Sequence, residues 1–172
     1  MTFSIGLPPH ATLRALAEAI SRLAASIAAG FHVEHGADGR HTFPWVDIPF
    51  TAARFAGGPG MTWTVDPADV AVQKYQRIST TLTVCLEVQS STMGGVATTH
   101  VVYTLPESFV AKTRMGGPCA ISDNGTAACG WWVVLPGSRE ARFYRHPQAT
   151  ANWSAAGANN TAVIAQMAFE VQ

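Results

Sequence analysis

Five side chains able to ligate a metal fall within ten residues: His32, Glu34, His35, Asp38 and His41. Imidazole and carboxylate groups suit zinc and related transition metals. Their spacing matches no closed site, and polar side chains of this kind also hydrogen-bond extended backbone. No metal and no other cofactor is therefore expected, and His32, His35 and His41 are the residues that would ligate one. Carboxylates are the second chemistry to weigh. Asp66 and Asp69 lie close together and Glu87 falls in a strand pattern, but a glycosidase needs two carboxyls facing one cleft at a set separation. Asp66-Pro67 reads instead as a turn, and Glu87 as a solvated glutamate on a polar strand face. No nucleophile elbow, phosphate-binding loop, dinucleotide fingerprint or His-Glu-x-x-His helix occurs. The chain reads as a non-enzyme with no catalytic residue.

Aromatic side chains near the C-terminal end are the third feature. Trp131 and Trp132 are adjacent in a strand-like run, so strand alternation sends one inward and one outward. Together with Arg142, Tyr144, Arg145 and Trp153, an outward indole would give a stacking platform for sugar rings or an anchor for a protein. The competing reading buries both indoles, one in a core and one in a subunit contact.

Those residues need elements to hold them, and the chain falls into three segments. Residues 1–30 contain a helix over Thr12 to Ala29, with Leu13, Leu16, Ile20, Leu23 and Ile27 at alternating spacings of three and four. That is the seam of a coiled coil. Thr12 caps its first turn, Gly30 ends it, and the helix is about 27 Å long at the usual rise. Small residues flank the seam, which suits three or more helices, whereas Ile and Leu at the seam positions themselves favour two. Packing of the helix on its own domain is the alternative.

Residues 31–60 show neither helical nor strand periodicity and read as an extended arm, closed by Gly57, Gly58, Pro59 and Gly60, where a domain boundary is expected. Residues 61–172 have the punctuation of an all-β domain. Leu82, Val84, Leu86 and Val88 alternate with polar residues, and Val163, Ala165, Met167, Phe169 and Val171 repeat the pattern. Further strands are expected at 61–65, 70–78, 96–104, 115–122, 128–135 and 139–144. Asn124-Gly125 signals a type I′ hairpin and Pro136-Gly137 a second turn, and 147–160 reads as a surface loop carrying Trp153. The fold class is mainly β: an N-terminal coiled-coil helix, an extended arm, then an antiparallel β-sandwich or jelly roll. Cys119 and Cys129 flank a turn and are the one pair placed to bridge; the odd count of three cysteines gives no disulfide framework.

Charge narrows the partners. Lys and Arg balance Asp and Glu at 11 each, so no basic field exists for nucleic acid, and charged residues are 13% of the chain. A surface so poor in charge is that of a chain buried against other chains, or one solubilised by Ser, Thr, Asn and Gln. No apolar run is long enough to span a membrane, and no signal peptide is read.

The stretch Val33-Glu34-His35-Gly36-Ala37-Asp38-Gly39-Arg40-His41 resembles a motif, roughly Val-Glu-His-Asn-Ala-Asp-Gly-Thr-His, recurrent in tailed-bacteriophage fibre and appendage proteins. Gly36 and Arg40 depart from it. Met61-Thr62-Trp63-Thr64 and the run from Tyr75 to Val84 are similar to the strands that follow there, with Ser79 where glycine is usual. The resemblance covers about residues 13 to 90. It implies a virion structural protein, commonly a homotrimer, assembled in the host cytoplasm, whose N-terminal segment attaches to other virion proteins while a β-domain projects outward. Host-surface polysaccharide is the external partner that such a fibre or spike would meet. A capsid decoration protein and a small carbohydrate-active enzyme are the competing readings.

Overall fold

The computed structural model describes residue 18, residues 20–25 and residues 43–172. Of the expected seam, Ile20 and Leu23 lie in helix and are exposed, at 59% and 62%. Leu13, Leu16 and Ile27 lie outside the described residues, as do His32, His35 and His41.

The β unit contains ten strands: β1 (Val46–Asp47), β2 (Phe55–Gly57), β3 (Met61–Thr64), β4 (Val70–Ile78), β5 (Thr81–Gly95), β6 (His100–Thr104), β7 (Met115–Asp123), β8 (Thr126–Val134), β9 (Glu140–Tyr144) and β10 (Asn159–Glu170). All pairings are antiparallel. Neighbours run β1-β4-β5-β10-β7-β8-β9-β6-β2, with β3 also on β5. The strands thus form one hydrogen-bonded sheet, where two separate sheets of a sandwich were expected.

The fifteen-residue β5 organises that sheet. Its first half pairs with β4, its second half with β3, and β10 runs along its opposite edge. Leu82, Val84, Leu86 and Val88 sit opposite Phe169, Met167, Ala165 and Val163, and all eight are buried. These are the two alternating sets of the sequence, now meeting on one face as cross-strand pairs. Beyond Val88 the alternation breaks. Gln89 and Ser90 are both exposed, Ser90 has φ +56°, and the register against β10 shifts. This bulge turns Ser91 and Met93 inward, and the Ser91 hydroxyl links the Trp63 indole N–H (2.8 Å) to the Thr161 carbonyl (2.8 Å).

The last strand of the path, β2, is tied back to β3, and through it to β5, by the turn between β2 and β3. Gly58 N–H bonds to the His100 carbonyl, Met61 N–H to Gly58, and Val96 N–H to Gly60. A Cβ on Gly57 would lie 2.3 Å from the Met61 carbonyl oxygen, so only glycine allows so close a passage. Phe55 of β2 meets Trp63 of β3 edge-on at 5.3 Å and Tyr103 of β6 at 5.5 Å, while Trp63 reaches Phe143 of β9 at 6.4 Å. The sheet therefore curls around a single aromatic-rich core. Gly57–Gly60 is consequently a turn inside the unit and not a domain boundary, because the compact unit begins at Pro44 and Phe55 is part of its core. Strands of two and three residues are too short to register as periodicity, which is why 44–60 reads as an arm.

Residues 147–160 likewise depart from the expected surface loop. Instead of carrying Trp153 on the surface, this segment drives it fully into the core, with its indole N–H donated to the Phe143 carbonyl at 3.0 Å and its backbone N–H to Thr98 at 2.8 Å. The latch beside it is Asp123, whose side chain is 2% exposed. Its carboxylate accepts from the Ser154 N–H and hydroxyl and pairs with Arg145 at 2.9 Å. Arg145 also donates to the Asn152 carbonyl at 2.6 Å. A charge buried with this many partners is costly to strip of them.

Turn chemistry follows sequence closely. Asn124 and Gly125 have φ +49° and +83° between β7 and β8, as a type I′ turn needs, and Gly137 at +75° closes a turn in which Ser138 N–H bonds to Leu135. The cysteines do not bridge. Cys119 pairs with Gly130 and Cys129 with Ala120, so the two thiols point to opposite faces, and both are free. Burial pushes the Cys119 thiol up to about 12.

Two outcomes follow from this packing. Trp153→Ala should lower unfolding free energy by about 3–5 kcal/mol, the usual cost of emptying a large core position, seen as a fall in the urea midpoint. A loss under about 1 kcal/mol would mean that the indole is not a core element. Maleimide at pH 8 on the native protein should label exposed Cys129 and spare Cys119 until denaturant is added.

Candidate functional site

Antiparallel register places directly opposed residues on the same face, so the outer surface of β7, β8, β9 and β6 can be read row by row. One row is Pro118, Trp131, Tyr144 and His100. The next is Gly116, Val133, Arg142 and Val102. Trp131 and Tyr144 are half-buried, and the Tyr144 and His100 rings lie 5.5 Å apart at 38°. The Trp131 indole lies across Gly116, where an added Cβ would approach its nitrogen to 2.9 Å. The result is an aromatic row of three rings, with glycine providing the space against which the indole settles.

Two depressions flank the second row. One, of about 260 Å³, is lined by Arg114, Met115, Gly116, Trp131 and Val133. The other, of about 490 Å³, is lined by Thr104, Pro136, Ser138, Arg139, Glu140 and Arg142, with Leu135 and Gly137. Val133 of one and Arg142 of the other are cross-strand neighbours, so the two depressions lie on adjoining strands of the same face. With strands about 4.8 Å apart, the span from β7 to β9 is about 10 Å. Such a shallow, open surface, with aromatic rings on one side and guanidinium groups at both ends, can stack on flat apolar rings and hydrogen-bond polar substituents.

Three of the six residues singled out from sequence, Trp131, Arg142 and Tyr144, come together here. The other three do not. Trp132 turns inward against Phe169 at 6.3 Å, Trp153 is core, and Arg145 is committed to Asp123. His100 joins the row only through strand register opposite Tyr144, Arg114 borders the depression that Trp131 lines, and Arg139 and Glu140 border the other; none of the four is marked by spacing along the chain. The carboxylates form no such group. Asp66 and Asp69 hold each other's backbone in a capping box around the short 3-10 turn Pro67–Asp69, and Glu87 accepts from the neighbouring Gln89 amide. Among the described residues no cluster of three or more His, Cys, Asp or Glu side chains is placed to hold a metal.

The His100 imidazole, at the end of the aromatic row, has a lowered pKa. Partial burial pushes it below its ordinary 6.5, the nearby Arg142 cation pushes it further, and Glu140 opposes both. No protein-family model matches the chain, and neither a curated protein nor a solved structure matches it.

A histidine whose folded pKa lies below its unfolded value binds fewer protons folded than unfolded, so its effect is absent well above pH 6.5 and stability falls as pH drops through that value. Melting temperature should therefore decline between pH 7.5 and 5.5, and His100→Gln should decline less over the same interval. Parallel curves for the two proteins would remove His100 as the source.

Proposed function

We propose that this chain is a structural protein of a bacteriophage particle, a short homotrimeric fibre or spike on head, neck or tail. Its N-terminal helix bundles with two copies and attaches to other virion proteins, and its β unit faces the host-surface polysaccharide. The observation that carries this reading is the exposure of Ile20 and Leu23, three residues apart on one helix. Side chains three apart share a helix face, and large apolar groups left in water on such a seam are stabilised by burial against equivalent helices. The motif spanning Val33 to His41 and the chain's low charge support the virion assignment. The row of Trp131, Tyr144 and His100, with Arg142 beside it, supports contact with sugars.

Light scattering at micromolar concentration tests the assembly. Full-length protein should have three times the chain mass, and Leu16→Asp combined with Leu23→Asp should have the mass of one chain with the β-unit circular dichroism unchanged. A trimeric double variant would remove the seam as the cause. A monomeric wild-type protein would overturn the stalk and favour a decoration protein that clamps neighbouring capsid subunits.

A further inference from the structure

The outer face around Trp131 has a charge that the chain as a whole lacks. Net charge is 0 over 172 residues, yet the side chains bordering the two depressions include Arg114, Arg139 and Arg142 against one carboxylate, Glu140. Glu140 already pairs with Arg142, at 3.3 Å. Arg114 and Arg139 are exposed, and among the described residues neither has an acidic partner. Guanidinium groups at both depressions, with half-buried Trp131 and Tyr144 on the same face, define the complement: a chain of rings bearing repeated negative charge.

We propose that this face binds an acidic polysaccharide, its sugar rings stacked on Trp131 and Tyr144 and its carboxylates paired with Arg114 and Arg139. The planar fork of arginine matches a carboxylate through two parallel hydrogen bonds, and the sugar's apolar face covers an aromatic ring. The two depressions lie on adjoining strands of one face, Arg114 bordering one and Arg139 and Arg142 the other, so an oligosaccharide laid across the strands passes both. This assignment rests on the sugar-contact reading above and adds the class of sugar.

Binding of full-length protein to polygalacturonate, alginate, hyaluronate, neutral dextran and oligothymidylate, by biolayer interferometry in 50 and 300 mM salt, tests it. At least one of the three carboxylated polymers should bind, more weakly at high salt, with dextran clearly weaker. Arg114→Ala with Arg139→Ala should weaken the acidic polymer by about tenfold or more, a loss of roughly 1.4 kcal/mol, and leave any dextran binding unchanged. Trp131→Phe should retain binding, and Trp131→Ala should weaken both classes. Equal affinity for dextran and the acidic polymers would overturn the acidic assignment while leaving the sugar platform in place. Binding to none of the polysaccharides would overturn both, and preferential binding of oligothymidylate would replace the polysaccharide with single-stranded nucleic acid.

Discussion

A fifteen-residue strand at the middle of a sheet must have the backbone groups on both of its edges paired, and much of this β unit follows from how β5 meets that demand. One edge is covered along most of its length by β10. The other is shared between β3 and β4, which run antiparallel to it one after the other, and the bulge at Ser90 falls between the stretches that pair with each. The bend brings β3 around to β2, whose own partner is β6 at the far end of the sheet. Curling of the sheet, the interior stack of Phe55, Trp63, Tyr103 and Phe143, and the inward turn of Ser91 all accompany that bulge.

The curl leaves the 147–160 segment lying against the core, and the core uses it. Trp153 fills the interior while Asp123, Arg145 and Ser154 hold the backbone over it. This arrangement consumes one tryptophan and one arginine that would otherwise be available to a ligand. It frees others by the same logic. Because the inner face is occupied by Phe143, Trp132 and Val134, the alternate residues Tyr144, Trp131 and Arg142 must face outward, where they form a row and a groove.

The electrostatic character of the outer face is local. Elsewhere, exposed charges pair or sit apart, as with Lys112 and Glu170 at 2.6 Å. Around the groove, arginines outnumber carboxylates, and His100 is held below its ordinary pKa by burial and by one of those arginines. The surface thus has a positive sign that total composition conceals, since opposite charges on other faces cancel it.

Sequence by itself determined what depends on near neighbours. The alternation in β5 and β10 named their buried faces because a strand's side-chain period is two. Asn124-Gly125 and Pro136-Gly137 named their turns because positive φ is tolerated by few residues. The Asp66-Pro67 turn and the Trp131 and Trp132 alternation are local in the same sense. Tertiary structure decided whatever depends on which distant strands become neighbours. Residues 44–60 joined the core through strands too short to have a period, and Trp153 went inward although its flanking Ala, Asn and Gly look like loop. His100 came opposite Tyr144, and Arg114 came beside Trp131, because the pairing of distant strands, and no spacing along the chain, sets who shares a face. Pairing of that kind is chosen by the total burial of both partners, and neither partner's own segment contains that information.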